Sequence, residues 1–146
     1  MYPLLKTVSE KLDLNSGLHA STHLNENSIQ CAVQMAILLS NDFTATAEQE
    51  VLGQGHCDLI IEEKDQNNPS KIFIVEFKYL KKAVCSEKKI DEQLEKAKQQ
   101  LLSYAQSPSF ANIQQPILCA AVFSGTKLAK YAQKSANDAA FLNENC

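Results

Sequence analysis

The run Ile117-Leu118-Cys119-Ala120-Ala121-Val122-Phe123 has no polar side chain, and nothing else in the chain limits the fold as much. Pro116 opens the run and Ser124-Gly125 closes it, which leaves a segment of strand length. A half-exposed strand alternates apolar and polar residues, whereas this one is apolar throughout. It therefore belongs inside a sheet that is covered on both faces.

The remaining segments supply the cover. Leu4, Leu5, Val8 and Leu12 give Tyr2 to Leu14 a helical spacing, ended by Asn15-Ser16-Gly17. Asn25 is an N-cap for a second helix over Glu26 to Leu39, whose apolar residues nearly encircle it and predict extensive burial. Thr44 to Leu52, Asp58 to Glu62 and Lys71 to Tyr79 read as three consecutive strands. Gly53-Gln54-Gly55 links the first two, and the turn formers of Asp65-Gln66-Asn67-Asn68-Pro69-Ser70 link the second to the third. A long helix from Glu87 to Ala105, capped by Ser86, precedes the apolar strand. Lys127 to Gln133 reads as a short final helix, and Ser135 to Cys146 as a frayed tail. The expected fold class is α/β (α+β): a mixed four-stranded sheet flanked by helices in the order α-βββ-α-β, with the long helix as the crossover. One domain spans residues 1–146, with a core over 26–123, an N-terminal helical extension over 1–25 and a C-terminal helix and tail over 124–146.

Composition excludes several classes. No stretch approaches the ~20 apolar residues of a membrane helix, so no membrane partner is expected. The first residues lack the pattern of a secretory leader, which predicts a cytoplasmic protein or one delivered into another cell's interior. The five cysteines are odd in number and never form a CxxC pair, so neither a disulfide framework nor a zinc knuckle is indicated. Net charge is −3, yet all 14 basic residues are lysine and nine of them lie between Lys64 and Lys98. Such segregation suits either a solvated face or a phosphate-facing patch on an otherwise acidic protein.

The chemistry concentrates in Ile72-Phe73-Ile74-Val75-Glu76-Phe77-Lys78. Alternate residues of a strand share a face, so Ile72 and Ile74 are followed on one face by Glu76 and Lys78. If the preceding hairpin is centred on Asn67, Glu62 faces Ile72 and Asp58 faces Glu76. Directly opposed residues have Cβ atoms ~5 Å apart, and two carboxylates at that spacing call for a cation between them. Lys78 beside them can orient a water or stabilise charge developing on a phosphate.

Gly53-Gln54-Gly55-His56-Cys57-Asp58 followed by Ile74-Val75-Glu76-Phe77-Lys78 resembles the PD-(D/E)XK nuclease superfamily, whose restriction-endonuclease-like core has this order of elements. The resemblance implies metal-dependent hydrolysis of nucleic acid, DNA first, with Mg2+ or Mn2+ as cofactor. It implies Asp58, Glu76 and the backbone carbonyl of Phe77 as metal ligands and Lys78 as the residue assisting the attacking water. Gln100 and Tyr104 match the Gln-x-x-x-Tyr motif of RecB-like branches and join the catalytic set. Glu26 and Glu50 fit further acidic ligand positions of some branches. The closest pattern, of an AAA-ATPase-associated branch, reads Gly-x-Gly-Arg-x-Asp, and here His56 stands where that pattern has Arg. A homodimer, or a larger fused or partner protein, is compatible with the reading.

Two rival readings follow from the same sequence. One is a nuclease fold that binds nucleic acid or a protein without cutting, as a module of an effector, toxin or ATPase-linked chain. The other is a histidine metal site at His19 and His23, four residues apart, with Glu26 three further on.

Overall fold

The computed structural model describes residues 1–15, 24–40, 42–51, 55–64 and 71–145. Among these residues three α-helices and six strands follow in the order α1 (Tyr2–Asn15), α2 (Glu26–Leu38), β1 (Phe43–Val51), β2 (Gly55–Glu63), β3 (Ile72–Leu80), α3 (Glu87–Ala105), β4 (Ile117–Ser124), β5 (Lys127–Lys134) and β6 (Leu142–Asn145). The strands form one sheet in chain order, β1-β2-β3-β4-β5-β6. All neighbours are antiparallel except β3 and β4, which the α3 crossover makes parallel. The mixed sheet flanked by helices agrees with the expectation, and so do the six elements from α2 to β4, with ends shifted by at most three residues.

Local chemistry explains the helix starts. The Asn25 side chain accepts from the Ser28 amide while the Ser28 hydroxyl accepts from the Asn25 amide, a reciprocal capping box. Ser86 caps α3 by accepting from the Lys89 amide. The two faces of the sheet then bury separate cores. Phe73, Val75, Phe77, Cys119, Ala121 and Phe123 pack with α1 and α2 through Leu5, Ile29, Val33 and Ile37. Ile74, Ala120, Val122 and Ala132 pack with α3 through Leu94, Ala97, Leu101 and Tyr104. Successive β4 residues thus enter opposite cores, which is why that strand tolerates no polar side chain.

The C-terminal part differs from its expectation. Lys127 to Gln133 is a strand, not a helix, and Leu142–Asn145 pairs with it instead of fraying, so the sheet has six strands rather than four. The reason lies in tertiary pairing. The inner strand β4 would otherwise leave one edge of its backbone groups unpaired inside the protein. A two-residue loop, Gly125-Thr126, with Gly125 at φ 60°, turns the chain back onto that edge. The short segment had too few residues for its helix-like spacing to compete. Helix α2 is also less enclosed than its composition suggests, with Met35, Leu38 and Leu39 exposed while Ile29, Val33 and Ile37 are buried. No described helix is long and apolar enough to cross a membrane. Cys31, Cys57, Cys85 and Cys119 are all free thiols.

Candidate active site

The site forms where the sheet opens. The β2–β3 register runs from Glu62↔Ile72 to Leu59↔Val75, the register expected from a turn centred on Asn67, and then the ladder stops. The next pair in that register would be Asp58 and Glu76. On its other side β3 stays paired with β4 as far as Leu80↔Ser124. A fork therefore opens between β2 and β3 while β3 remains anchored. Beyond it β1 and β2 continue as a two-stranded ribbon, which twists more strongly than a full sheet. Val51 and Cys57 accordingly pack with the α3 core, although Leu59 and Ile61 pack on the opposite one.

Side chains take over the hydrogen bonds that the fork leaves open. The Phe77 amide donates to Asp58 Oδ2 at 2.7 Å, and the Tyr79 amide donates to Glu26 Oε2 at 3.2 Å. From α2, one turn beyond Glu26, the buried Gln30 donates through Nε2 to the Asp58 carbonyl at 2.7 Å. Glu26 and Gln30 are four residues apart and so share a helical face. One helix face thus holds both arms of the fork. A residue in an extended strand presents its N–H and C=O to the same side, which directs the Phe77 carbonyl into the opening. Bonds to charged acceptors contribute about 1.5–3 kcal/mol each, enough to fix Asp58 and the end of β3 relative to each other. Gln30 was not singled out in the sequence; its only signal was a polar residue among the apolar positions Ile29, Val33 and Ile37, one turn after Glu26.

Glu76 and Lys78 project from the same face of β3. Lys78 Nζ donates to Glu76 Oε1 at 2.7 Å, and the two side chains retain only 16% and 2% of their exposure. Burial pushes the Glu76 carboxyl up to about 7, the negative charge of Asp58 adds to the rise, and Lys78 offsets part of it. For Lys78 burial works against the ammonium, but Glu76, Glu26 and Asp58 outweigh it and hold the group above its ordinary value. Three carboxylates and one ammonium therefore act on one another electrostatically around the fork.

The motif on α3 reaches the same place. Tyr104 is buried and its hydroxyl donates to the His56 carbonyl at 3.1 Å, while Gln100 Nε2 donates to the Tyr104 hydroxyl at 3.4 Å. Tyr104 is held above the ordinary phenol value by burial, with Glu76 and Asp58 among the further causes. Cys57, next to Asp58, is an inert neighbour: burial pushes its thiol up to about 12. The structure thus brings together Asp58, Glu76, Phe77, Lys78, Gln100, Tyr104 and Glu26. Glu50 lies apart from this hydrogen-bonded set, exposed on β1 opposite His56. His19, His23, Gly53 and Gln54 lie outside the described residues.

Whether this set suits a divalent metal follows from its donors. Among the described residues no three His, Cys, Asp or Glu side chains converge as a metal cluster. Two carboxylates and a backbone carbonyl do meet at the fork, and hard ions such as Mg2+ are commonly held by one or two carboxylates with water and phosphate completing the shell. Glu76 Oε2 is buried without a hydrogen-bond partner. A buried carboxylate oxygen left unsatisfied is costly, and a cation would satisfy it. The donor set fits a hard divalent ion.

No curated protein and no solved structure matches the chain significantly. A family model described as the PD-(D/E)XK nuclease superfamily does match, over residues 24–133, which spans everything from the cap of α2 almost to the end of β5. With an acid on each arm of the fork and a lysine two residues beyond the second, the chain belongs to the PD-(D/E)XK nuclease superfamily.

Proposed function

We propose that this protein hydrolyses phosphodiester bonds of nucleic acid, DNA in the first instance, in a metal-dependent reaction at the β2–β3 fork. The observation that carries the reading is the buried, unpartnered Glu76 Oε2 beside Asp58 and Lys78. A structural Glu–Lys pair on a strand has no need of a second carboxylate at its side, whereas a cation site does.

Asp58, Glu76 and the Phe77 carbonyl would hold Mg2+ or Mn2+, with Glu26 close enough to add its charge. When bound, the ion supplies Lewis-acid activation of the phosphodiester. Lys78 holds the attacking water in line with the scissile bond and offsets negative charge on the phosphate. Its ammonium is a compact point charge, suited to a water that must be aimed from one side. The bond to the 3′ oxygen breaks, and the 5′ phosphate stays on the downstream fragment. Tyr104 and Gln100 fix the backbone of β2 at His56, two residues from Asp58. Gln30 fixes the Asp58 carbonyl from the other face of the sheet.

The test is cleavage of plasmid, single-stranded and branched DNA with Mg2+, Mn2+ or EDTA, with Lys78→Ala alongside. Metal-dependent cutting that the variant loses supports the reading. A folded protein that cuts none of these substrates, nor RNA, with either metal refutes it and leaves the non-cleaving binding module.

A further inference from the structure

We propose that the exposed lysines following the catalytic strand, Lys81 and Lys82 with Lys88 and Lys89 at the start of α3, form the surface that binds the substrate's phosphate backbone. The inference rests on the function proposed above and adds where the nucleic acid lies.

Charge segregation is the first observation. Residues 78–89 contain five lysines and a single acid, Glu87, so this segment is strongly positive in a chain whose net charge is −3. That acid is already engaged, since Glu87 pairs with Lys130 at 3.3 Å. The next acids on α3 are similarly occupied: Asp91 pairs with Lys130 and Glu95 with Lys98, which leaves Glu92. Lys81, Lys82, Lys88 and Lys89 are exposed, and none of them has an acid within ion-pair distance among the described residues. A protein that only needed solubility would be expected to intersperse its charges.

Position is the second observation. Lys81 follows β3 directly, three residues after Lys78, a distance of about 10 Å along an extended chain. Lys82 packs toward the β4–β5 turn, where a Cβ placed on Gly125 would lie 3.6 Å from its own. The Gly125 amide donates to the Leu80 carbonyl at 2.9 Å, which anchors the exit of β3. Lys81 and Lys82 thus stand on a fixed backbone beside the catalytic end of the sheet, and α3, which carries Lys88 and Lys89, starts a few residues further on. With a rise of ~3.4 Å per nucleotide along a duplex axis, the step from Lys78 to Lys81 spans no more than about three nucleotides of one strand. A strand whose scissile phosphate sits at Lys78 would run its neighbouring phosphates over Lys81 and Lys82.

The experiment measures binding in Ca2+ or EDTA, where cleavage is not required, using a labelled 30-nucleotide duplex and its single strand from 50 to 200 mM salt. The proteins are the wild type, K81E/K82E, K88E/K89E and the control K6E/K64E, which makes the same change in net charge elsewhere. Each ridge variant is expected to lower affinity at least tenfold at 50 mM salt and to reduce the salt slope by about 2, one per lost phosphate contact. The control is expected to lose less than threefold. Equal losses in ridge and control variants, an unchanged slope, or a wild type that binds neither nucleic acid would overturn the proposal. Cleavage that persists while ridge and control behave alike would sink the surface and leave the nuclease reading intact. Ridge-dependent binding by a protein that never cuts would do the reverse.

Discussion

Removing the charge of Glu76 is the most informative single perturbation, because it separates a functional carboxylate from a structural one without any substrate. In the metal-free protein burial and Asp58 raise its carboxyl from 4.5 to about 7. The sign follows from proton linkage. Between these values the folded protein holds a proton on Glu76 that the unfolded chain has released, so stability falls as pH rises. The contribution is absent below 4.5, grows through the interval and levels off above 7. A shift of that size corresponds to roughly 3 kcal/mol. Glu76→Gln keeps the shape and cannot titrate, so the difference between the two proteins isolates this group from every other carboxylate. Urea unfolding in EDTA at pH 5 and pH 8 measures it. Relative to wild type, the variant should gain roughly 2–3 kcal/mol on going from pH 5 to pH 8. Saturating Mg2+ at pH 8 should recover the lost stability in the wild type alone, by about 2.7 kcal/mol at a hundred times the dissociation constant. A stability difference that stays flat with pH would refute the argument, since Glu76 would then be a satisfied ion-pair partner of Lys78.

Further predictions follow from other contacts. Lys78→Ala should fold normally and cut at least ~10²-fold more slowly, as judged by initial rates at saturating metal. It should also raise the Glu76 carboxyl further, because the charge and the hydrogen bond that hold it down both come from Lys78; carboxyl-selective NMR titration reads this directly. Gln30→Leu removes the donor to the Asp58 carbonyl and should cost about 1–3 kcal/mol in urea unfolding, with weaker Mn2+ binding by electron paramagnetic resonance. Normal metal affinity in that variant would show that α2 does not position Asp58. Tyr104→Phe loses the bond to the His56 carbonyl and should cost about 1 kcal/mol, whereas Gln100→Ala, whose bond is longer and partly exposed, should cost less.

What could be read from the sequence depended on how local the cause was. The apolar run of β4 required cover on both sides, and α1, α2 and α3 provide it. The β2–β3 register was legible because turn formers centred the hairpin and alternation fixed the faces, so a slip by one residue would have turned Glu76 and Lys78 into the other core. Asp58, Glu76 and Lys78 could therefore be brought to one place before any coordinates. The strands β5 and β6 could not. Lys127 to Lys134 is short and ambiguous in period, and only the unpaired edge of β4 makes it a strand.

The fork itself was beyond sequence. Nothing in the residues says that pairing stops after Leu59 and Val75, or that Asp58 and Glu26 take the freed amides of Phe77 and Tyr79. Those bonds join residues 19 and 53 positions apart. Gln30 and Tyr104 likewise acquire their roles only by touching backbone carbonyls 28 and 48 positions away. The sequence by itself determined which side chains could do the chemistry, because residue type and strand period are local. Tertiary structure decided that Glu76 would be buried with one oxygen unsatisfied, because desolvation depends on what the rest of the chain packs around it.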